Sequence, residues 1–156
     1  MWFPGYHGDV GGGNPRKQSG QSQYPLCWMI DEAAKCGLHF NTRTVNTVAL
    51  GEPYSANSTY LYPEPSIQAP LHSSKRTAWA ALEWLPKLTR YREDESRKGF
   101  VGLYIPKWEP RAIPENAHIH ESTFQRKAKE GSIYDPKNLP NNYTTVPSLS
   151  GRFQNW

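Results

Sequence analysis

His7 and Asp9 form the densest pair of acid–base groups in the chain, inside the stretch WFPGYHGDVGGG from Trp2 to Gly13. An imidazole held at the end of a strand can take a proton from a hydroxyl nucleophile, the way many hydrolases present a general base. His7 has that setting: Trp2 and Phe3 suit a buried strand end, Pro4 and Gly5 stop the strand, and a glycine-flanked loop follows. Asp9 lies too near along the chain to orient His7 without strain. Its carboxylate is expected instead to accept backbone N–H groups of the turn through Gly11, Gly12 and Gly13. Those glycines do not make a phosphate loop. Asn14 and Pro15 stand where Lys and Ser or Thr would be needed, and no G-x-G-x-x-G runs through them.

Other groups with metal or redox chemistry carry less. His118 and His120 form an H-x-H pair whose side chains share a face in an extended segment, but no Cys or carboxylate cluster stands at ligand spacing. No metal or other cofactor is therefore expected. His39 and His72 stand alone and are assigned no role. Cys27 and Cys36 are the only cysteines; on one helix they lie about 13 Å apart along its axis, beyond disulfide reach. Two unpaired thiols fit a reducing compartment.

The elements that must position His7 are few. Leu26, Met29, Ile30 and Ala33 recur at helical spacing, Pro25 suits a first turn, Lys35 a last turn, and Gly37 a stop. A helix is predicted over about Pro25 to Cys36, with Trp28 widening its apolar face. Residues 38–49 (LHFNTRTVNTVA) are rich in β-branched side chains without clean alternation, so a short helix and an irregular strand both remain open. Residues 51–70 hold four prolines and read as loop. TAWAALEWL, Thr77 to Leu85, reads as a two-turn helix ended by Pro86. Phe100 to Ile105 reads as a strand that Arg111 to Ile113 could join across Lys107–Pro110. Glu121 to Glu130 is a further helix, with Gly131 past its end. Ser132 to Trp156 reads as an irregular tail.

With 14 Pro and 12 Gly in 156 residues, a loop-heavy chain is expected; 6 Trp, 9 Tyr and 5 Phe argue against disorder. The net charge of +4 is spread in short groups, which excludes the basic clusters of nucleic-acid binders. No run reaches the roughly 18–20 apolar residues of a membrane span, and no signal peptide is recognisable. A cytoplasmic location is favoured on those grounds.

Trp2, Phe3, Gly5, His7, Asp9, Val10, Gly11, Gly12 and Gly13, followed by Trp28, Met29, Glu32, Ala33, Gly37 and Leu38, fit W-F-x-G-x-H-x-D-V-G-G-G and then W-M-x-x-E-A-x-x-x-G-L. In both, the chain resembles the type VI secretion phospholipase-effector-like α/β-hydrolases, a family long catalogued as a domain of unknown function. HSSKRTAWAALEWLPK and IPENAHIHESTFQRKAKEGSIYDPKNLP resemble the C-terminal region of fungal members. The resemblance implies a serine hydrolase with a Ser–Asp–His triad acting on ester bonds, in some members those of phospholipids. His7 would be its general base, since that fold places the histidine last.

The nucleophile elbow G-x-S-x-G is not found in the chain: Gly20-Gln21-Ser22-Gln23-Tyr24 lacks the second glycine, and Ser148 and Ser150 have no elbow. The expected fold is accordingly α/β, the C-terminal part of an α/β-hydrolase with a loop-rich α+β extension. Residues 1–48 are read as the end of the catalytic core and residues 49–156 as the extension of the same domain. The expected product is a truncated hydrolase without its serine and acid, inactive alone, its ester or lipid substrate bound only once upstream sequence completes it. The competing expectation is a non-enzymatic remnant that binds a protein, completing a partner's sheet with its first strand.

Overall fold

The computed structural model describes residues 1–57, 62–73, 84–88, 103–104, 110–129 and 132–148. Helix α1 is short, His7–Gly11. After two 3₁₀ turns, Arg16–Gln18 and Gly20–Ser22, comes the principal helix α2, Gln23–Lys35. Its bounds agree with the spacing of its apolar residues. Lys35, in the last turn, pairs with Asp31 and Glu32 at 2.6 and 2.9 Å, one and nearly one turn back on the same face.

The ambiguous stretch after Gly37 resolves as a helix, α3, Thr42–Leu50. Asn41 caps it: its side-chain oxygen accepts the N–H of Thr44 at 3.0 Å, satisfying a donor that the first turn leaves without a partner. Gly51, left-handed at φ 75°, ends it. The helix forms because one face is needed. Val45 and Ala49 pack on Cys27 and Ile30 of α2, with Leu26, Phe40 and Leu50 closing the edges. Burying each larger aliphatic side chain is worth about 1.5–3 kcal/mol, more than the few tenths that β-branched residues lose in a helix.

The sheet is small and parallel. Strand β3, Ala117–His120, pairs with β4, Tyr143–Val146, in the register Ala117↔Tyr143 to His120↔Val146. On the other edge of β3, the Trp2 N–H donates to the His118 carbonyl at 2.8 Å, and the His120 N–H donates to the Trp2 carbonyl at 2.9 Å. Trp2 thus finds a parallel partner within the chain. Ile119, 1% exposed, sits at the centre. Helix α4, Ser122–Ala128, follows β3 directly, as a parallel sheet requires cover on its faces.

Two expectations are corrected. The segment after residue 132 is not all irregular tail, because β4 lies in it. Leu103–Tyr104 (β2) pairs antiparallel with Lys87–Leu88 (β1), not with Arg111–Ile113, which forms no strand. Hydrogen bonding of Asn138 to the Arg111 carbonyl at 2.8 Å occupies that segment instead. The helix expected over residues 77–85 falls largely outside the described residues; of it, Trp84 and Leu85 lie in a turn and are exposed.

Candidate functional site

Everything around His7 is organised on Asp9. Tyr6 caps α1, and Asp9, the third residue of that helix, returns a carboxylate oxygen to accept the Tyr6 N–H at 2.9 Å. This is the returning half of a capping box, and it also places negative charge at the favourable end of the helix. Gly5 is required beside it. Its φ is +117°, and a Cβ there would stand 2.6 Å from the Asp9 Cβ. The Asn14 side-chain amide donates to the same carboxylate at 3.1 Å.

The remaining partner comes from far along the chain. The backbone N–H of His72 donates to both Asp9 oxygens, at 3.1 and 3.0 Å, and its ring Nδ1 lies 2.8 Å from Oδ1. Because an ionised carboxylate only accepts, Nδ1 carries the proton in this contact. The other ring nitrogen, Nε2, faces the Gln18 side-chain oxygen at 3.1 Å. Asp9 is 1% exposed, so its charge is stabilised by these donors and not by water.

His7 itself is the first residue of α1 and is exposed; its side chain makes no hydrogen bond to a described residue. Gly11 ends the helix, and Gly12 and Gly13 follow at φ 82° and 96°. The Asp9 carboxylate does not reach their backbone. It braces the turn before α1 rather than the turn after it, because the N–H groups at a helix start point back toward its own third residue. The groups brought together are Asp9, Asn14, Gln18 and His72; His7 stands apart from them at the surface. His72 offered no signal in sequence, since its partner lies 63 residues away.

A second buried polar layer supports the first. Arg126 of α4 donates from Nη2 to the Gln21 side-chain oxygen at 2.9 Å and to the Ala69 carbonyl at 2.7 Å. It thereby ties the 3₁₀ turn and the segment leading to His72 onto α4. Burial lowers the pKa of Arg126, opposed by Tyr134, Asp9 and Tyr24. Gln21 Nε2, Arg126 Nε and Thr123 Oγ1 are buried without partners.

His120 is buried against Phe3 and Tyr24, at ring separations of 4.7 and 5.6 Å. Its Nδ1 accepts from the Ser122 N–H at 3.2 Å and lies 2.8 Å from the Ser122 hydroxyl. That leaves Nδ1 engaged within the chain. Burial lowers its pKa, with Glu121 acting the other way. His118, on the same strand, is exposed. Among the described residues no three His, Cys, Asp or Glu side chains cluster as a metal site would. Ser22, the serine nearest to an elbow, donates its hydroxyl to the Ser19 carbonyl at 2.8 Å. Beside α1 lies an apolar hollow of about 420 Å³ walled by Phe3, Val10, Leu26, Trp28 and Met29.

Helices against a small parallel sheet place the described residues in the mixed α/β class. Residues 1–32, which span Trp2, α1 and most of α2, match the family model described as "T6SS, Phospholipase effector Tle1-like, catalytic domain". No curated protein and no solved structure matches the chain. Among the described residues no helix is long and apolar enough to cross a membrane.

Proposed function

We propose that the chain is the histidine-bearing, C-terminal part of an α/β-hydrolase that cleaves esters of the phospholipid type, with His7 as its general base. The supporting observation is that the family match over residues 1–32 contains His7, and that this exposed histidine begins a helix whose start is fixed by a buried carboxylate. The serine and the triad acid come from sequence outside these 156 residues; Asp9 is engaged by His72 and does not contact His7.

In that reaction His7 takes the proton of the serine hydroxyl as the oxygen attacks the ester carbonyl. Backbone N–H donors hold the oxyanion. His7 then gives the proton to the leaving alcohol, and finally activates the water that hydrolyses the acyl-enzyme. A polypeptide extended upstream in the reading frame is expected to hydrolyse p-nitrophenyl esters and lose that activity in His7→Ala. The 156-residue chain alone is expected to be inactive. Robust turnover by the short chain, or an extended enzyme indifferent to His7→Ala, overturns the reading.

A strand-donating, non-enzymatic role is the second reading. Its support is that Trp2 pairs with β3 on one edge while no described strand pairs with the other. An inactive extended polypeptide that captures a partner only when residues 1–3 are intact would favour it.

A further inference from the structure

We infer that His72 is a positioning residue for His7, acting through Asp9; the inference rests on the reading that His7 is the general base. The path is short and continuous. The His72 ring donates to Asp9 Oδ1 at 2.8 Å, Asp9 Oδ2 accepts the Tyr6 N–H at 2.9 Å, and Tyr6 is the cap on which His7 opens α1. The first bond fixes the plane of the carboxylate. The second turns that plane into the direction of the helix start.

Two features separate this from a simple tether. The His72 backbone N–H already attaches the segment to Asp9, so the ring is not needed to hold the strands of chain together. What the ring adds is a fourth donor at a defined angle, and its far nitrogen, Nε2, lies 3.1 Å from the Gln18 side-chain amide. The side chain is only 26% exposed, so water is a poor substitute for it. The Asp9–His72 pair also looks like the acid and base of a triad. It is not used as one here, because the base proposed for catalysis is His7 and the role of His72 is to donate.

That distinction sets the experiment. Asparagine at position 72 places an N–H donor near the Nδ1 position without a basic nitrogen, whereas glutamine places its amide farther out. In ¹⁵N–¹H spectra of the 156-residue chain, His72→Ala and His72→Gln are expected to shift the Tyr6 amide and to broaden or split the His7 ring signals. His72→Asn is expected to restore both, with the His120 ring unchanged throughout as a check on folding. Gln18→Ala, at an exposed position, is expected to move the same signals by less, and serves if His72→Ala does not fold.

In an active extended polypeptide, His72→Ala should lower kcat on the order of 10-fold to 100-fold with KM unchanged, the scale of a misplaced catalytic group, and His72→Asn should recover it. Tyr6 and His7 signals unmoved by His72→Ala and Gln18→Ala overturn the inference. So does a His72→Asn enzyme with native spectra but no activity, which would make His72 a base in its own right. Should His7→Ala leave hydrolysis intact, the functional reading fails while the spectra still decide what His72 holds in place.

Discussion

Replacing Asp9 with alanine tests the organisation of the whole N-terminal region. The carboxylate collects the Tyr6 N–H, the His72 N–H, the His72 ring and the Asn14 amide. Each hydrogen bond to a charged group is worth about 1.5–3 kcal/mol net, but the four share two oxygens and are not additive. Asn14 and part of the Tyr6 turn can return to water; the His72 groups are less able to. Removing one member of a buried charged network costs about 3–5 kcal/mol, which is the expected loss for Asp9→Ala. Equilibrium unfolding in urea reads it directly. With a slope near 2 kcal/mol/M, the midpoint should fall by about 2 M. Asp9→Asn keeps one acceptor oxygen and turns an NH₂ toward a donor, so its loss should be smaller, about 2–3 kcal/mol. An Asp9→Ala chain within about 0.5 kcal/mol of the parent, at unchanged slope, refutes the reasoning, since that is the scatter of an ordinary surface change.

Three further outcomes are expected. Burial pushes the Cys27 thiol up to about 11 while Cys36 is exposed, so Ellman's reagent at pH 7.5 should titrate one thiol in the folded chain and two in urea; two in the folded chain contradicts the α2–α3 core. Gly51→Ala should cost about 1–3 kcal/mol, because φ is +75° there and the added Cβ would meet the Tyr62 carbonyl oxygen at 2.7 Å; a neutral result in thermal melts counts against the cap. His120 has a folded pKa below its unfolded value of 6.5, through burial. Its unfolded form therefore binds the extra proton first, and its contribution is intact above about pH 6.5 and lost as pH falls toward the folded value. The parent should lose more stability between pH 7.5 and 5 than His120→Gln; equal slopes would show that His120 does not titrate differently on folding.

What could be read from the residues was the local part. Helix α2 was legible because its stripe, its lysine and its glycine all lie within fifteen residues of one another. The exposed placement of His7 followed from the Pro-Gly break before it, although the turn after the strand became a helix start. β4 was hidden because Tyr143, Thr144 and Thr145 are all exposed, so alternation left no apolar trace; its pairing is made by backbone groups that every sequence has. α3 was ambiguous because its threonines and valines suit a strand, and the decision was made by the face that Cys27 and Ile30 needed covered. Asp9 was expected to brace the glycine turn after it, and its carboxylate accepts from Tyr6, Asn14 and His72. A carboxylate advertises only that it wants donors; which donors arrive, from 63 residues away in the case of His72, is settled by tertiary folding.

The bond between Trp2 and β3 has a consequence for how the chain is made. Trp2 has its backbone partners at His118 and His120, far later in the chain. At about 5–20 residues per second, those partners are synthesised on the order of 6–24 s later. For that interval the Trp2 backbone lacks its β3 partner, although Phe3 can already meet Trp28 of α2. A chaperone or a neighbouring nascent chain would meet this segment before the rest of its own sheet does. Slow synthesis should therefore lower the soluble yield of this chain, and moving residues 1–13 to follow β4 in a permuted chain should raise it.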